Sequence, residues 1–180
     1  MEAIQVLSLE QAPEKSKHSL ESIKKKFGKI PNIFAIMAYS PSTLEAFLSF
    51  KETLSKGELT SNEQEAIALA VAQQNKCDYC LAAHSAVSKS LGISQEEILR
   101  NRKGDSTDSR VEALLDLTRN IVATNGNPSE GNIDAFISAG YSKGALLEVI
   151  GFVGLNLFTN YVNHIAKTPI DFPKVEALSI

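Results

Sequence analysis

Turn and cap signals recur along this chain at intervals that leave room for helices and for little else. Pro13 can open a first helix that carries Leu20, Ile23 and Phe27 on one face and stops at Gly28. Pro31 and Pro41 bracket a short apolar helix over 32–39, and after Pro41 the residues Leu44, Phe47, Leu48 and Leu54 recur near helical period until Gly57. Thr60 with Glu63, and Ser94 with Glu97, have the spacing of capping boxes. The first starts an alanine-rich helix that ends near Asn75-Lys76; the second starts a short helix to about Arg102. Between them the pattern predicts a helix from about Cys77 to Leu91, stopped by Gly92. Beyond the polar linker 104–108, the best boundary between halves, helices are expected over 109–124, 129–139 and 142–167. Strand-like alternation is confined to Ala3–Leu7, which reads as an extended arm. The tail from Thr168 to Pro173 cannot continue a helix past its prolines.

The expected fold is therefore all-α, a single domain over 1–180 with a motif half at about 41–103 and a second helical half at about 108–168. A faint internal echo suggests duplication, since Cys80-x-x-x-His84 is matched by Asn160-x-x-x-His164 in the second half. A chain of 180 residues with 43% hydrophobic content can build a core without staples. The net charge of −3, from 18 Lys+Arg against 21 Asp+Glu, gives no basic footprint, so nucleic acid is not an expected partner. Met1–Gln5 lacks the basic and apolar regions of a secretory signal. The longest nearly apolar stretch, Gly144–Phe158, contains Glu148 and Asn156 and falls short of the roughly 20 residues a spanning helix needs. A soluble, cytoplasmic protein without a membrane partner is expected.

The two cysteines, Cys77 and Cys80, are too few for a disulfide scaffold, and their spacing points to redox or metal chemistry. With His84 they form Cys-x-x-Cys-x-x-x-His at the start of a helix. Residues 80 and 84 fall on one face, while Cys77 lies at the helix N-terminus, where the macrodipole favours a thiolate. If the preceding helix folds back across a turn at Asn75-Lys76, Glu65 and His84 both lie about 12–15 Å from the hairpin tip and can face each other. A carboxylate so placed orients the imidazole and raises its basicity. Glu65 among Ala66, Leu69 and Ala72 also needs a partner if buried. A zinc site built from Cys77, Cys80, His84 and Glu65 competes with this reading, but those residues make a cramped tetrahedron and no second Cys-x-x-Cys exists. No metal is expected.

Other polar residues read as structural. Glu148 and Asn156 should pair with each other or with backbone, His164 should be a core or interface residue, and His18 should be solvated. Gly144, Gly151 and Gly154 in an apolar helix suggest close approach of another helix backbone, within the chain or across a subunit contact.

Glu65, then eleven residues, then Cys77-x-x-Cys80-x-x-x-His84 on an alanine-rich hairpin resembles the AhpD-like alkylhydroperoxidase branch of the carboxymuconolactone decarboxylase family. The resemblance implies an AhpD-like helical bundle that forms a homo-oligomer with the site near a subunit interface. It implies peroxidase activity on hydrogen peroxide or organic hydroperoxides, with no bound cofactor but an external thiol or dithiol reductant, such as a disulfide-reducing partner protein. Carried over, Cys80 attacks peroxide and becomes a sulfenic acid, Cys77 resolves it to a disulfide, and His84 with Glu65 relays protons. The residues alone leave the order of the cysteines open, and the i,i+4 relation to His84 favours Cys80. Tyr79 departs from the best-known members, which carry a histidine there; tyrosine is a poor base near neutral pH and is expected to shape the pocket mouth. Two alternatives stand beside this reading: a decarboxylase-type lyase, disfavoured by the dithiol, and a zinc-stabilised helical module.

Overall fold

A computed structural model describes residues 4–176 and 178. Among them are nine helices and no strand: α1 (Glu14–Phe27), α2 (Asn32–Met37), α3 (Pro41–Leu54), α4 (Ser61–Gln74), α5 (Asp78–Ser90), α6 (Gln95–Lys103), α7 (Ser109–Ala123), α8 (Glu130–Ser138) and α9 (Lys143–Ala166). The boundaries fall within two or three residues of those expected, because most of the local signals act as read; the exception is the box expected at Ser94 and Glu97, where Ser94 caps α6 but the Glu97 carboxylate turns to Ser106 and Thr107 instead of reaching back. Ser40, Thr60, Ser94, Ser129 and Ser142 each accept the backbone N–H three residues on, and Thr60 with Glu63 closes a reciprocal capping box. Gly104 ends α6 at φ 79°, and a β-carbon there would also run into the side chain of Arg119.

The centre is α4, which packs against α5, α6, α7 and α9. Every residue from Ala66 to Ala72 is buried. Such a helix is buried all round, and its alternating alanines let four neighbours approach while Ile67, Leu69 and Val71 each supply about 1.5–3 kcal/mol of burial. One hydrophobic cluster runs from Leu20, Leu44 and Phe47 through Ile67 and Val71 to Leu114, Phe136, Val149 and Phe152. The 104–108 linker is thus a joint between helices that share a core.

A second tie is polar. Glu63, 3% exposed, accepts hydrogen bonds from the Thr60 N–H and hydroxyl and from the Tyr141 hydroxyl at 2.7 Å, and it pairs with Arg110. Burial works to raise its pKa, but Tyr141, Thr60 and Arg110 together hold it below the ordinary carboxylate value. Tyr141 in turn stacks on Phe136 at 4.2 Å, with the Arg110 guanidinium over its ring. This cluster links α4, α7 and the turn before α9.

Helix α9 runs 24 residues, well past the apolar stretch ending at Phe158, and is long and apolar enough to cross a membrane. It packs here as a core helix against α2, α3, α4, α5 and α7, burying Asn156, Asn160 and Asn163 with Val149 and Phe152. Within the chain its glycines meet no other helix backbone: Gly151 lies against the Leu54 side chain, Gly144 against Glu58, and Gly154 faces open space. Glu148 accepts the backbone N–H groups of Glu58 and Leu59 ahead of α4, and Asn156 donates to the Phe152 carbonyl. His18 is exposed as expected; His164 is also exposed and not a core residue. Ala3 lies outside the described residues, and from the rest of the arm the Ile4 N–H reaches the Ala166 carbonyl.

Candidate active site

The α4–α5 hairpin turns at Asn75-Lys76, with Lys76 in the left-handed region at φ 55°. That turn sets the register in which Glu65 and His84 meet. His84 Nδ1 lies 2.8 Å from Glu65 Oε2, and both side chains are largely shielded from solvent. An ionised carboxylate can only accept, so Nδ1 carries the proton of this bond and Nε2 of the neutral imidazole is left as an acceptor.

Cys77 is the N-cap of α5, its Sγ accepting the Cys80 N–H at 3.4 Å, and the two cysteines are joined as a disulfide. Both sulfur residues are buried, at 1% and 3% exposure. They differ in what they face. Cys80 lines a cavity of about 130 Å³, and Cys77 does not. Glu65 and His84 line the same cavity, whose apolar wall includes Phe34, Phe47, Ala83 and Phe152. The arrangement presents one sulfur and a carboxylate-oriented imidazole to a water-poor space, as nucleophile-and-base chemistry requires.

Tyr79 also lines the cavity, but its hydroxyl is engaged elsewhere. It accepts the Ile33 N–H at 3.2 Å and donates to Asp171 Oδ1 at 2.8 Å, while its ring meets Phe172 edge-on. Burial, with Asp171 adding to it against the Ile33 N–H, pushes its pKa up, so it stays a neutral phenol. Lys29 pairs with Asp171, and Asn32 donates to the Pro169 carbonyl. Tyr79 is thus the latch of the C-terminal tail as well as a wall of the pocket.

Sequence reasoning missed the groups that touch the Cys80 sulfur. Asn160 Nδ2 donates to Cys80 Sγ at 3.0 Å and Asn163 Nδ2 at 3.2 Å. Asn75 Nδ2 donates to Asn160 Oδ1 at 2.9 Å. The signal was present: Asn156, Asn160 and Asn163 place three amides on one face of an otherwise apolar helix, and Asn160 is the counterpart of Cys80 in the internal echo. Among the described residues no group of three or more His, Cys, Asp or Glu side chains is arranged to hold a metal ion.

The deciding likeness covers α3 to α7, the span that carries the whole site motif. Residues 41–120 match the carboxymuconolactone decarboxylase family. Solved structures show the same fold over nearly the full chain. A peroxidase-related protein from Silicibacter sp. TM1040 superposes with a TM-score of 0.81 at 24% identity, over 93% of this chain and 91% of that one. An alkylhydroperoxidase AhpD core protein from Ralstonia eutropha JMP134 gives 0.85 at 20% identity, over 94% and 92%. A variant of the debrominase Bmp8 in complex with 2,3,4-tribromopyrrole gives 0.81 at 15% identity, over 95% and 92%. At these identities the likeness is one of fold: the chain is an AhpD-like all-helical bundle. No curated protein matches it.

Proposed function

We propose that this protein is a thiol-dependent peroxidase that reduces organic hydroperoxides and hydrogen peroxide through a Cys77/Cys80 dithiol–disulfide cycle. The observation that carries the reading is the asymmetry of the pair: Cys80 faces the cavity that holds Glu65 and His84, and Cys77 does not. In the reduced protein His84 Nε2 takes the Cys80 proton, and the thiolate attacks the terminal peroxide oxygen. The S–O bond forms as the O–O bond breaks, and the alkoxide leaves as an alcohol with the proton held on His84. The Cys77 thiolate then attacks the Cys80 sulfenic sulfur; the disulfide forms and hydroxide leaves as water. A dithiol from outside supplies the two electrons that reopen the bond. A volume of about 130 Å³ is close to that of an engineered apolar cavity of about 150 Å³ that admits benzene, so the pocket fits a small organic group beside the peroxide.

The partners follow from the same chemistry. The reductant is a disulfide-reducing protein or small dithiol in a reducing, cytoplasmic setting, and no cofactor, nucleic acid or membrane is required. Leu147, Ile150, Tyr161 and Ile165 form an exposed apolar stripe on α9 with Gly154 open beside it, which supports association into a homo-oligomer.

The test is a thiol count on protein reduced and desalted under argon. One equivalent of cumene hydroperoxide should remove both thiols and yield one equivalent of alcohol, and Cys80→Ser should abolish that reaction. Two thiols left free after peroxide would sink the proposal. The benzene-sized, phenylalanine-lined cavity favours one second reading, reductive debromination of a small aromatic ring, in which the same dithiol becomes the disulfide as C–Br becomes C–H and bromide leaves. Bromide release from 2,3,4-tribromopyrrole by the reduced protein distinguishes it. A lyase would turn over a muconolactone substrate undiminished in the Cys77→Ser, Cys80→Ser double variant.

A further inference from the structure

The groups in contact with the Cys80 sulfur come from α9, outside the Cys-x-x-Cys-x-x-x-His motif. Asn160 is fully buried and Asn163 is 4% exposed, and each spends an amide N–H on this one sulfur, at 3.0 and 3.2 Å. A disulfide or thiol sulfur is a weak acceptor, so two buried donors aimed at it are poorly repaid in the oxidised state. A thiolate is a strong acceptor, and a sulfur at 3% exposure loses the water that would otherwise solvate its charge. The Asn160 amide is held in one orientation, because Asn75 Nδ2 donates to its oxygen at 2.9 Å and so turns its NH2 toward the sulfur. Asn75 sits at the C-cap of α4, two residues before Cys77, so the hairpin turn that sets the motif also sets the amide.

We propose that Asn160 and Asn163 are catalytic residues whose amide N–H groups stabilise negative charge on the Cys80 sulfur, with Asn75 as the positioning residue that aims Asn160. The charge occurs twice in the cycle. It is present on the thiolate that attacks the peroxide. It returns when an external thiolate attacks Cys77 and Cys80 departs as the leaving group, which the two amides make the better leaving sulfur. The donors therefore favour attack at Cys77, the sulfur that does not face the substrate cavity, once the hairpin end opens to uncover its 1% exposed side chain.

The role in turnover rests on the peroxidase reading; the role in holding the thiolate does not, and the experiment separates them. Because the chain has only two cysteines, Cys77→Ser leaves Cys80 as the single thiol, with serine an acceptable N-cap. The thiolate absorbance near 240 nm is followed against pH in this background. The other ionisable side chains lining the cavity, Glu65, His84, Lys51 and Tyr79, are the same in every variant, so the comparison between variants isolates the two amides. Asn160→Leu and Asn163→Leu should each raise the Cys80 pKa by about one to two, the worth of a hydrogen bond to a charged group. Asn160→Asp and Asn163→Asp keep the shape and replace a donor by an acceptor, so they should raise it further, and they stand in if a leucine variant does not fold. Asn75→Ala should raise it in the parent but add nothing in the Asn160→Leu background. A Cys80 pKa unmoved in folded variants at both positions overturns the inference. A protein inert to peroxide whose Cys80 pKa still depends on both amides overturns the peroxidase reading and leaves this one standing.

Discussion

Replacing Glu65 by glutamine isolates the charge from the shape of the Glu65–His84 pair. The glutamine oxygen can still accept the Nδ1–H at about the native 2.8 Å, so the tautomer and ring orientation persist. What is lost is the negative charge beside the imidazolium that forms when His84 takes the Cys80 proton. With both side chains more than four-fifths shielded from solvent, the charge-assisted bond is worth about 1.5–3 kcal/mol and the neutral bond that replaces it about 0.5–1.5 kcal/mol, a loss of about 1–1.5 kcal/mol. At 1.36 kcal/mol per decade this slows the first oxidation step roughly 5- to 13-fold. The chain has no tryptophan, so the assay is rapid-quench thiol counting in a single turnover with cumene hydroperoxide in excess. His84→Gln alone should cost at least as much, and the double variant little more than His84→Gln, because Glu65 acts through the imidazole. A Glu65→Gln protein that oxidises at the wild-type rate, with its fold intact, removes Glu65 from the mechanism.

Four further outcomes are expected. Tyr141→Phe keeps the stack on Phe136 but removes one donor to the buried Glu63 carboxylate, which should lower Tm by roughly 3–12 °C at pH 7. Since the folded Glu63 pKa is depressed, this stabilisation is present above the ordinary value of 4.5 and lost as pH falls through the folded value; a deficit equally large at pH 3 contradicts the assignment. Ile67→Ala empties a fully buried site at the centre of α4 and should cost about 2–5 kcal/mol by urea unfolding. Tyr79→Phe keeps the ring against Phe172 but drops the bond to Asp171, so trypsin should cut at Lys174 roughly 2- to 10-fold faster. Leu147→Glu combined with Ile165→Glu should shift the light-scattering mass toward the 19.5 kDa monomer if α9 carries the subunit contact.

Helix ends were legible because they are set locally: the Thr60–Glu63 box, Gly28 and Gly104 in left-handed conformations, and prolines at helix starts each act within a turn of their own position. The Glu65–His84 contact was legible for a related reason, since a hairpin turn of known place converts sequence distance into height along two helices. The asparagines at Cys80 were not, because their partner lies 80 and 83 residues away and depends on how α9 crosses the α4–α5 pair. The glycines of α9 show the converse limit within the chain. Removal of a side chain shows that something approaches, but not that the thing is the Leu54 or Glu58 side chain in place of a helix backbone. The latch at Tyr79 was hidden in a proline-bearing tail that has no periodicity to read.

Phe172 is the tail's contribution to the cavity wall, on a segment held down by Tyr79, Lys29 and Asn32. The shape of the pocket is therefore partly a property of whether the segment 169–172 is docked. Any molecule that rests on Phe172 inside the cavity favours the docked tail, and thermodynamic reciprocity makes the docked tail favour that molecule by the same factor. Occupancy of the pocket and protection of the segment 169–172 are one equilibrium observed from two ends.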